Sequence, residues 1–317
     1  GKTIWQPRID CWYSDRAYRN EPLPGQYAGC SHKQLYEKLG CSDRLYVFNE
    51  CFSRHYDETI KRTCEKIDAF TSKTTLQTPV GAVFNINRGN TSNPGRMPVK
   101  WFVEDESDLN VLTYIDEHTY YTYSQEKYNA LFAEYSHLGL PAIFSPRTGL
   151  QNMLIEICGV ENTYYLLADS PELVERYFEA SSKCSERYFE LVRNSPFEWV
   201  NFGENLHCKI TPPEYFKKYV LPEFEKRRAL LPGKFLYAHF DGEFYDYIPY
   251  MKSGCFLDGY EALTPEPQGD VTLDEMLEAC GKSSFLVDGI AATLFSDIYP
   301  VERLREQTER VLNMFEG

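Results

Sequence analysis

Within Lys234–Glu261, KFLYAHFDGEFYDYIPYMKSGCFLDGYE, two apolar runs end in side chains that bind cations or move protons. Phe235–Ala238 leads into His239, Asp241 and Glu243, and Cys255–Leu257 leads into Asp258 and Glu261. The pattern predicts strand, helix, strand. An imidazole gathered with two carboxylates could surround a small ion or one substrate group, provided the fold brings the strand ends together. A parallel α/β barrel does this, because the carboxyl ends of all its strands share one face and residues about twenty apart converge there. The bland alternative is a satisfied core histidine with acids on solvated loops.

Other expected strand ends carry similar side chains. Thr3–Tyr13 reads as a first strand cut short by Pro7, which leaves Arg8 at its end as a clamp for an anion. LPAIFS, Leu140–Ser145, is a short buried strand followed by Arg147, and EWVNFG, Glu198–Gly203, ends in Glu204, Asn205 and His207. SFLVDGI places Asp288 near the end of another. Rings at Trp12, Tyr13, Phe202, Tyr237, Phe240 and Tyr260 stand beside these ends, although alternation along a strand lets only some of them face inward.

The elements that must position these residues follow in order. Ser31–Leu39 is a short helix closed by Gly40; RLYVFNE and TPVGAVFNIN read as β; Arg88–Arg96 reads as an exposed loop on a small excursion. Glu106–His137 predicts helix, capped at Ser107 and Ser124. Leu150–Cys158 is helical, Ser170 and Pro171 open a long amphipathic helix to about Arg193, and Thr211 with Glu214 and Thr272 with Glu275 form capping boxes. Val301–Phe315 is the last helix. Strands at Trp5–Arg8, within Arg44–Asn87, and at Ala142, Trp199, Leu236, Phe256 and Leu286 alternate with helices, so the sheet is expected to be parallel with right-handed crossovers. The expectation is a single domain over 1–317, an α/β (β/α)8 TIM-type barrel whose eighth strand is either hidden earlier or absent from the chain.

With a net charge of -14 over 317 residues, the surface would repel phosphate backbones and anionic lipid, which argues against nucleic acid as a partner. No apolar stretch is long enough to cross a bilayer and no leader pattern opens the chain, so a cytoplasmic protein is expected. The 10 cysteines are scattered without a CxxC pair and read as free thiols.

Several stretches resemble the uroporphyrinogen decarboxylase-like superfamily. ENLHCKITPPEYFKKYVLPEFEKR resembles its acid-bearing strand end with a Ser/Thr-Pro cap and Val-Leu-Pro segment, and IFSPRTGLQNMLIEICG resembles its Gly-Ala-Pro-Trp-type turn. PRIDCWY with LPGQYAG is similar to its N-terminal arginine stretch. HFDG resembles the His-x-Cys-Gly end that supplies zinc ligands in the cobalamin-linked methyltransferases, with Asp241 in place of cysteine, and GYEALTPEPQGDVTLDEM resembles the stretch that adds an acidic ligand.

The resemblance implies a zinc-dependent methyltransferase that takes a methyl group from a small donor such as a methoxylated aromatic. It passes the methyl to Co(I) of a corrinoid carried by a separate protein, and the resemblance also suggests a homodimer. His239 and Glu261 would be catalytic and would bind zinc together with Asp241 or Asp288; Arg8, Arg147, Glu204, Tyr237 and Tyr13 would hold the substrate; Glu243 or Glu204 would orient His239. Imidazole and carboxylate leave a harder, more Lewis-acidic zinc than thiolates do, suited to an ether oxygen. The alternatives are a metal-independent decarboxylase worked by Arg8 and Arg147, and a barrel that binds without catalysis.

Overall fold

A computed structural model describes residues 4–89, 97–281 and 283–315. In chain order the strands are β1 (Phe52–Tyr56), β2 (Lys61–Lys66), β3 (Thr71–Thr78), β4 (Gly81–Arg88), β5 (Met97–Lys100), β6 (Thr119–Tyr123), β7 (Ala142–Ser145), β8 (Trp199–Leu206), β9 (Phe235–Gly242), β10 (Gly259–Leu263) and β11 (Phe285–Val287). The last five form one parallel sheet in the order β11-β10-β9-β8-β7. Helices separate these strands in sequence, and a helical crossover is what permits parallel neighbours. Leu45 adds a parallel bridge to Pro141, so the segment carrying Arg44 and Tyr46 runs along the β7 edge. The chain is thus a mixed α/β protein with a five-stranded parallel sheet.

Alternation gives the sheet two different faces. Val200, Phe202, Leu236, Ala238, Phe240 and Tyr260 are fully buried, and rings such as Phe202 pack against Phe189 and Phe224 of the covering helices. The opposite face carries Trp199, Phe235, Tyr237 and Phe285 in mutual ring contact at one end and Asn201, His239 and Glu261 further along. The register sets Glu261 beside His239 on one side and Val287 on the other.

Local signals account for many boundaries. Ser31 with Gln34 and Thr272 with Glu275 form capping boxes, and Gly40 closes its helix in the left-handed region at φ 63°. The helix Pro171–Arg193 opens on proline and buries Leu173, Val174, Tyr177, Phe189 and Val192 along one stripe. The excursion is a four-stranded antiparallel sheet, β2-β3-β4-β5; most of the loop expected at Arg88–Arg96 lies outside the described residues. All 9 cysteines whose side chains are described are free.

Elsewhere the fold departs from the sequence pattern. Trp5–Arg8 is not a strand but an open segment before the helix Asp10–Tyr18: Ile4 and Trp5 are exposed, and Pro7 has no N–H for a ladder. RLYVFNE forms a tight helix at Tyr46–Cys51, because Leu45, Phe48 and Cys51 are buried at a spacing of three, the period of a 3-10 turn. The 106–137 segment is interrupted by β6, which pairs with β1, and its first cap is Asp105 rather than Ser107. Thr211 makes no capping box; its hydroxyl accepts from Gln151, and the helix starts at Pro213 behind Pro212. Cys255 and Phe256 lie in a turn at φ 46° and 61°, and the strand begins at Gly259. Asp258 therefore belongs to the amino edge of the sheet, where its carboxylate accepts from Leu236 N–H and Arg228.

Gly269 provides a test of this packing. A Cβ there would lie 1.9 Å from the Thr264 carbonyl oxygen, a backbone contact that cannot rotate away, whereas one at Gly233 would meet nothing within 4 Å and only the strain of φ +78°. Gly269→Ala is expected to destabilise the fold by about 3 kcal/mol, and Gly233→Ala by about 1 kcal/mol. Urea unfolding of the two variants measures both; equal midpoints would contradict the close approach of the β10 loop.

Candidate functional site

The candidate site is organised by one buried carboxylate. Glu261 on β10 is 1% exposed, and its two oxygens accept from four side chains. Arg44 Nη1 at 2.7 Å and Tyr46 Oη at 3.0 Å donate to Oε1. His239 Nδ1 lies 2.9 Å from Oε2, which also accepts from Asn201 Nδ2. Arg44 turns its second terminal nitrogen to Asp288 at 2.6 Å, so one guanidinium joins the two carboxylates. Asn201 Nδ2 also donates to Tyr46 Oη at 3.1 Å, and Tyr237, two residues before His239 on the same face of β9, stands beside the cluster close enough to feel the Glu261 charge.

Burial alone would raise the Glu261 carboxyl, but the His239 hydrogen bond and charge, the Arg44 charge and the Asn201 hydrogen bond outweigh it and hold it below the ordinary glutamate value. Glu261 is therefore ionised at neutral pH. An ionised carboxylate can only accept, so His239 Nδ1 carries the proton between them and Nε2 is left as the working nitrogen. Burial, then the Glu261 charge, push the Tyr237 phenol up to about 12, and burial raises Tyr46 further, so both remain neutral donors. Burial works against the Arg44 charge, but Asp288 and Glu261 more than compensate. His239 and Asp288 are the accessible members, with side chains 15% and 32% exposed against 9% for Arg44.

A second polar chain lies where β7, β8 and β9 end. Arg147 donates from Nη1 to Asn205 Oδ1 at 2.8 Å and from Nε to Glu156 at 3.1 Å; Asn205 in turn donates to Asp241 at 3.3 Å. Asp241 is thus exposed and tied to Asn205, away from the Glu261 cluster. Glu204, expected to meet substrate, points to the helices instead. Fully buried, it accepts from Thr148 N–H and hydroxyl and from Arg227 Nη1 at 2.7 Å. The reason is alternation: Glu204 lies on the face of Phe202, and both meet Arg227.

The N-terminal expectations move away from the site. Arg8 is exposed in the open segment, and Tyr13 packs on His32 beside the small cluster of Leu23, Cys30 and Leu35. Trp12 is exposed with Arg16 over its ring, while Phe202, Phe240 and Tyr260 face the helices. Only Tyr237 of the expected rings joins the cluster.

Zinc held by His239, Asp241, Glu261 and Asp288 does not fit this donor set. Both Glu261 oxygens are filled by hydrogen-bond donors, Asp288 is paired with Arg44, and Asp241 bonds Asn205; the cation already among these carboxylates is Arg44. Three ligand atoms do come within 4.8 Å of one another at Cys208, Glu243 and Asp270, and among the described residues no other such group is formed. There Asp270 accepts from the N–H groups of Phe244 and Tyr245, and burial, then the Asp270 charge, push the Cys208 thiol up to about 11.

Arg44, Tyr46 and Asn201 escape a reading by strand ends. Arg44 and Tyr46 are the first and third residues of a stretch that reads as an ordinary strand, and Asn201 stands in mid-strand within EWVNFG. A polar amide inside an apolar strand was the available signal, since a buried amide must find partners.

The Glu261 cluster makes a pH-dependent contribution to stability. Because the folded-state value lies below the unfolded one, the contribution is complete above about pH 4.3 and is lost as pH falls through the folded value. Glu261→Gln is expected to cost about 3 kcal/mol at pH 7 by leaving Arg44 and His239 short of a buried acceptor. It should also flatten the acid limb of a plot of urea midpoint against pH; an unchanged acid limb would show that Glu261 is not held ionised.

No protein-family model matches the chain, and no curated protein matches it. Among solved structures, a methyltransferase from Methanosarcina mazei is similar at 12% identity and a TM-score of 0.46, over 64% of this chain and 55% of that one. This chain matches only about half the length of that structure, and a likeness at this level assigns neither a family nor an activity.

Proposed function

We propose that the chain is an enzyme that moves a methyl group from a small, oxygen-bound donor to a corrinoid on a partner protein, with His239 as general acid. The observation that carries this reading is the 2.9 Å contact between His239 Nδ1 and the saturated, buried Glu261 carboxylate on adjacent parallel strands. It is supported by the position of HFDG and GYEALTPEPQGD, the two stretches that resemble the cobalamin-linked methyltransferases: in the fold they are neighbours at this point.

The corrinoid would supply the two-electron nucleophile that accepts the methyl group. The chain supplies the rest. As the C–O bond breaks, the departing oxygen keeps the electron pair and needs a proton, which His239 gives from Nε2. Glu261 holds the ring by Nδ1 and stabilises the imidazolium, and Arg44, Tyr46 and Asn201 keep Glu261 ionised and in place. In this arrangement proton donation replaces the Lewis acid of the zinc reading. A decarboxylase worked by Arg8 and Arg147 is disfavoured, because Arg8 is exposed in the open segment before the first helix and does not join Arg147.

The reaction can be followed with anisole or 4-methoxybenzoate and free cob(I)alamin, read as loss of cob(I)alamin absorbance. We expect transfer to survive dialysis against a chelator and to fall about 100-fold or more in His239→Asn. Loss of activity on chelation with recovery on adding zinc would restore the metal reading. Release of carbon dioxide from a carboxylated substrate, without methyl transfer, would favour the decarboxylase.

A further inference from the structure

We infer that the buried pair Glu204–Arg227 is a positioning device for an anion subsite at Arg147, which takes a carboxylate carried by the methyl donor. This rests on the assignment of the strand-end face as the substrate face and adds a second point of recognition to it.

The pair is poorly explained as a device for stability. Arg227 is 1% exposed and Glu204 fully buried, and the guanidinium lies over the rings of Phe189 and Phe202 at 5.2 and 4.8 Å from their centroids. Its Nη1 reaches Glu204 at 2.7 Å, but its Nε and Nη2 have no partner among the described residues. Desolvating two ions and leaving two donors unmet is a weak bargain for the fold, since a well-packed apolar pair of similar volume commonly does as well. What an apolar pair could not do is accept hydrogen bonds from Thr148.

Glu204 takes three such contacts, from Thr148 N–H to Oε1 at 3.1 Å and Oε2 at 3.0 Å and from the Thr148 hydroxyl at 2.9 Å. Thr148 is 1% exposed and directly follows Arg147. The loop after β7 is therefore clamped from the helix side by Glu204. The next residue of β8, Asn205, at φ 53°, holds the Arg147 guanidinium by Nη1. Two consecutive residues of one strand thus fix one arginine from its two sides. Arg147 is only 20% exposed in its side chain, and the Glu156 carboxylate on its Nε is 54% exposed, a partner that a bound anion can displace at little cost. Arg44 cannot take this role, because two carboxylates already neutralise it.

The test separates binding from transfer. Binding of 4-methoxybenzoate and of neutral anisole is measured by calorimetry on the wild type, Arg147→Met, Glu204→Gln and the apolar double variant Glu204→Leu/Arg227→Met. We expect Arg147→Met and both Glu204 variants to weaken 4-methoxybenzoate about 10-fold while anisole binding is unchanged, and the double variant to melt within a few degrees of the wild type. The inference is overturned if the Glu204 variants bind 4-methoxybenzoate as the wild type does, or if the wild type shows no preference for it over anisole. If the preference follows Arg147 and Glu204 as expected but no methyl is transferred, the subsite stands and the methyltransferase reading fails.

Discussion

The Glu261 carboxylate is the constraint on which the candidate site depends. It is ionised, buried, and bonded to side chains from the β7 edge segment, β8 and β9, with Arg44 extending the network past β11 to Asp288. A buried charge of this kind is tolerated only when every lone pair finds a donor, so each of those elements is fixed relative to β10 by the need to satisfy it. The same demand that locks the sheet together also fixes the tautomer of His239. Structure and chemistry are here one set of hydrogen bonds.

The two faces of the parallel sheet divide the work. On the helix side, close-packed rings and aliphatic groups supply most of the apolar burial, and Glu204 with Arg227 is an ionic inclusion within that layer. On the opposite face the side chains are aromatic near one end and polar near the other. That gradient is what a strand-end site needs, because groups at the apolar end cannot compete for the ligand while His239 at the polar end remains within reach of solvent. The antiparallel excursion β2–β5 lies outside this division, and its all-exposed edge strand β2 contributes nothing to the site.

An arginine among buried carboxylates offers a different chemistry from a metal. A guanidinium neutralises carboxylates with directed hydrogen bonds and stays protonated at any working pH, but it offers no open coordination position. A cluster built on Arg44 is therefore suited to holding an acid-base residue in a fixed state rather than to polarising a substrate oxygen itself. His239, the partly exposed imidazole of the group, is the member that a ligand can reach.

The sequence by itself determined most of the alternation of strand and helix in the second half of the chain, the strand expected at Cys255–Leu257 excepted, because apolar runs of β length, proline at helix starts and capping pairs such as Thr272 and Glu275 act through neighbours in the chain. It also determined that His239 and Glu261 belong together, since parallel strands joined by a helix must present the same end. Tertiary structure alone decided the rest. Whether RLYVFNE became strand or tight turn depended on what Leu45, Phe48 and Cys51 could pack against, and branched residues do not settle that locally. Which way Glu204 points followed from the phase of the strand against the sheet, where a shift of one residue exchanges the faces, and Asp241 was drawn to Asn205 where the register of β9 with β10 becomes irregular. The pairing of Arg44 with Glu261, 217 positions apart, leaves no trace in spacing or composition, because only the folded sheet brings a guanidinium to a carboxylate that has been taken out of water.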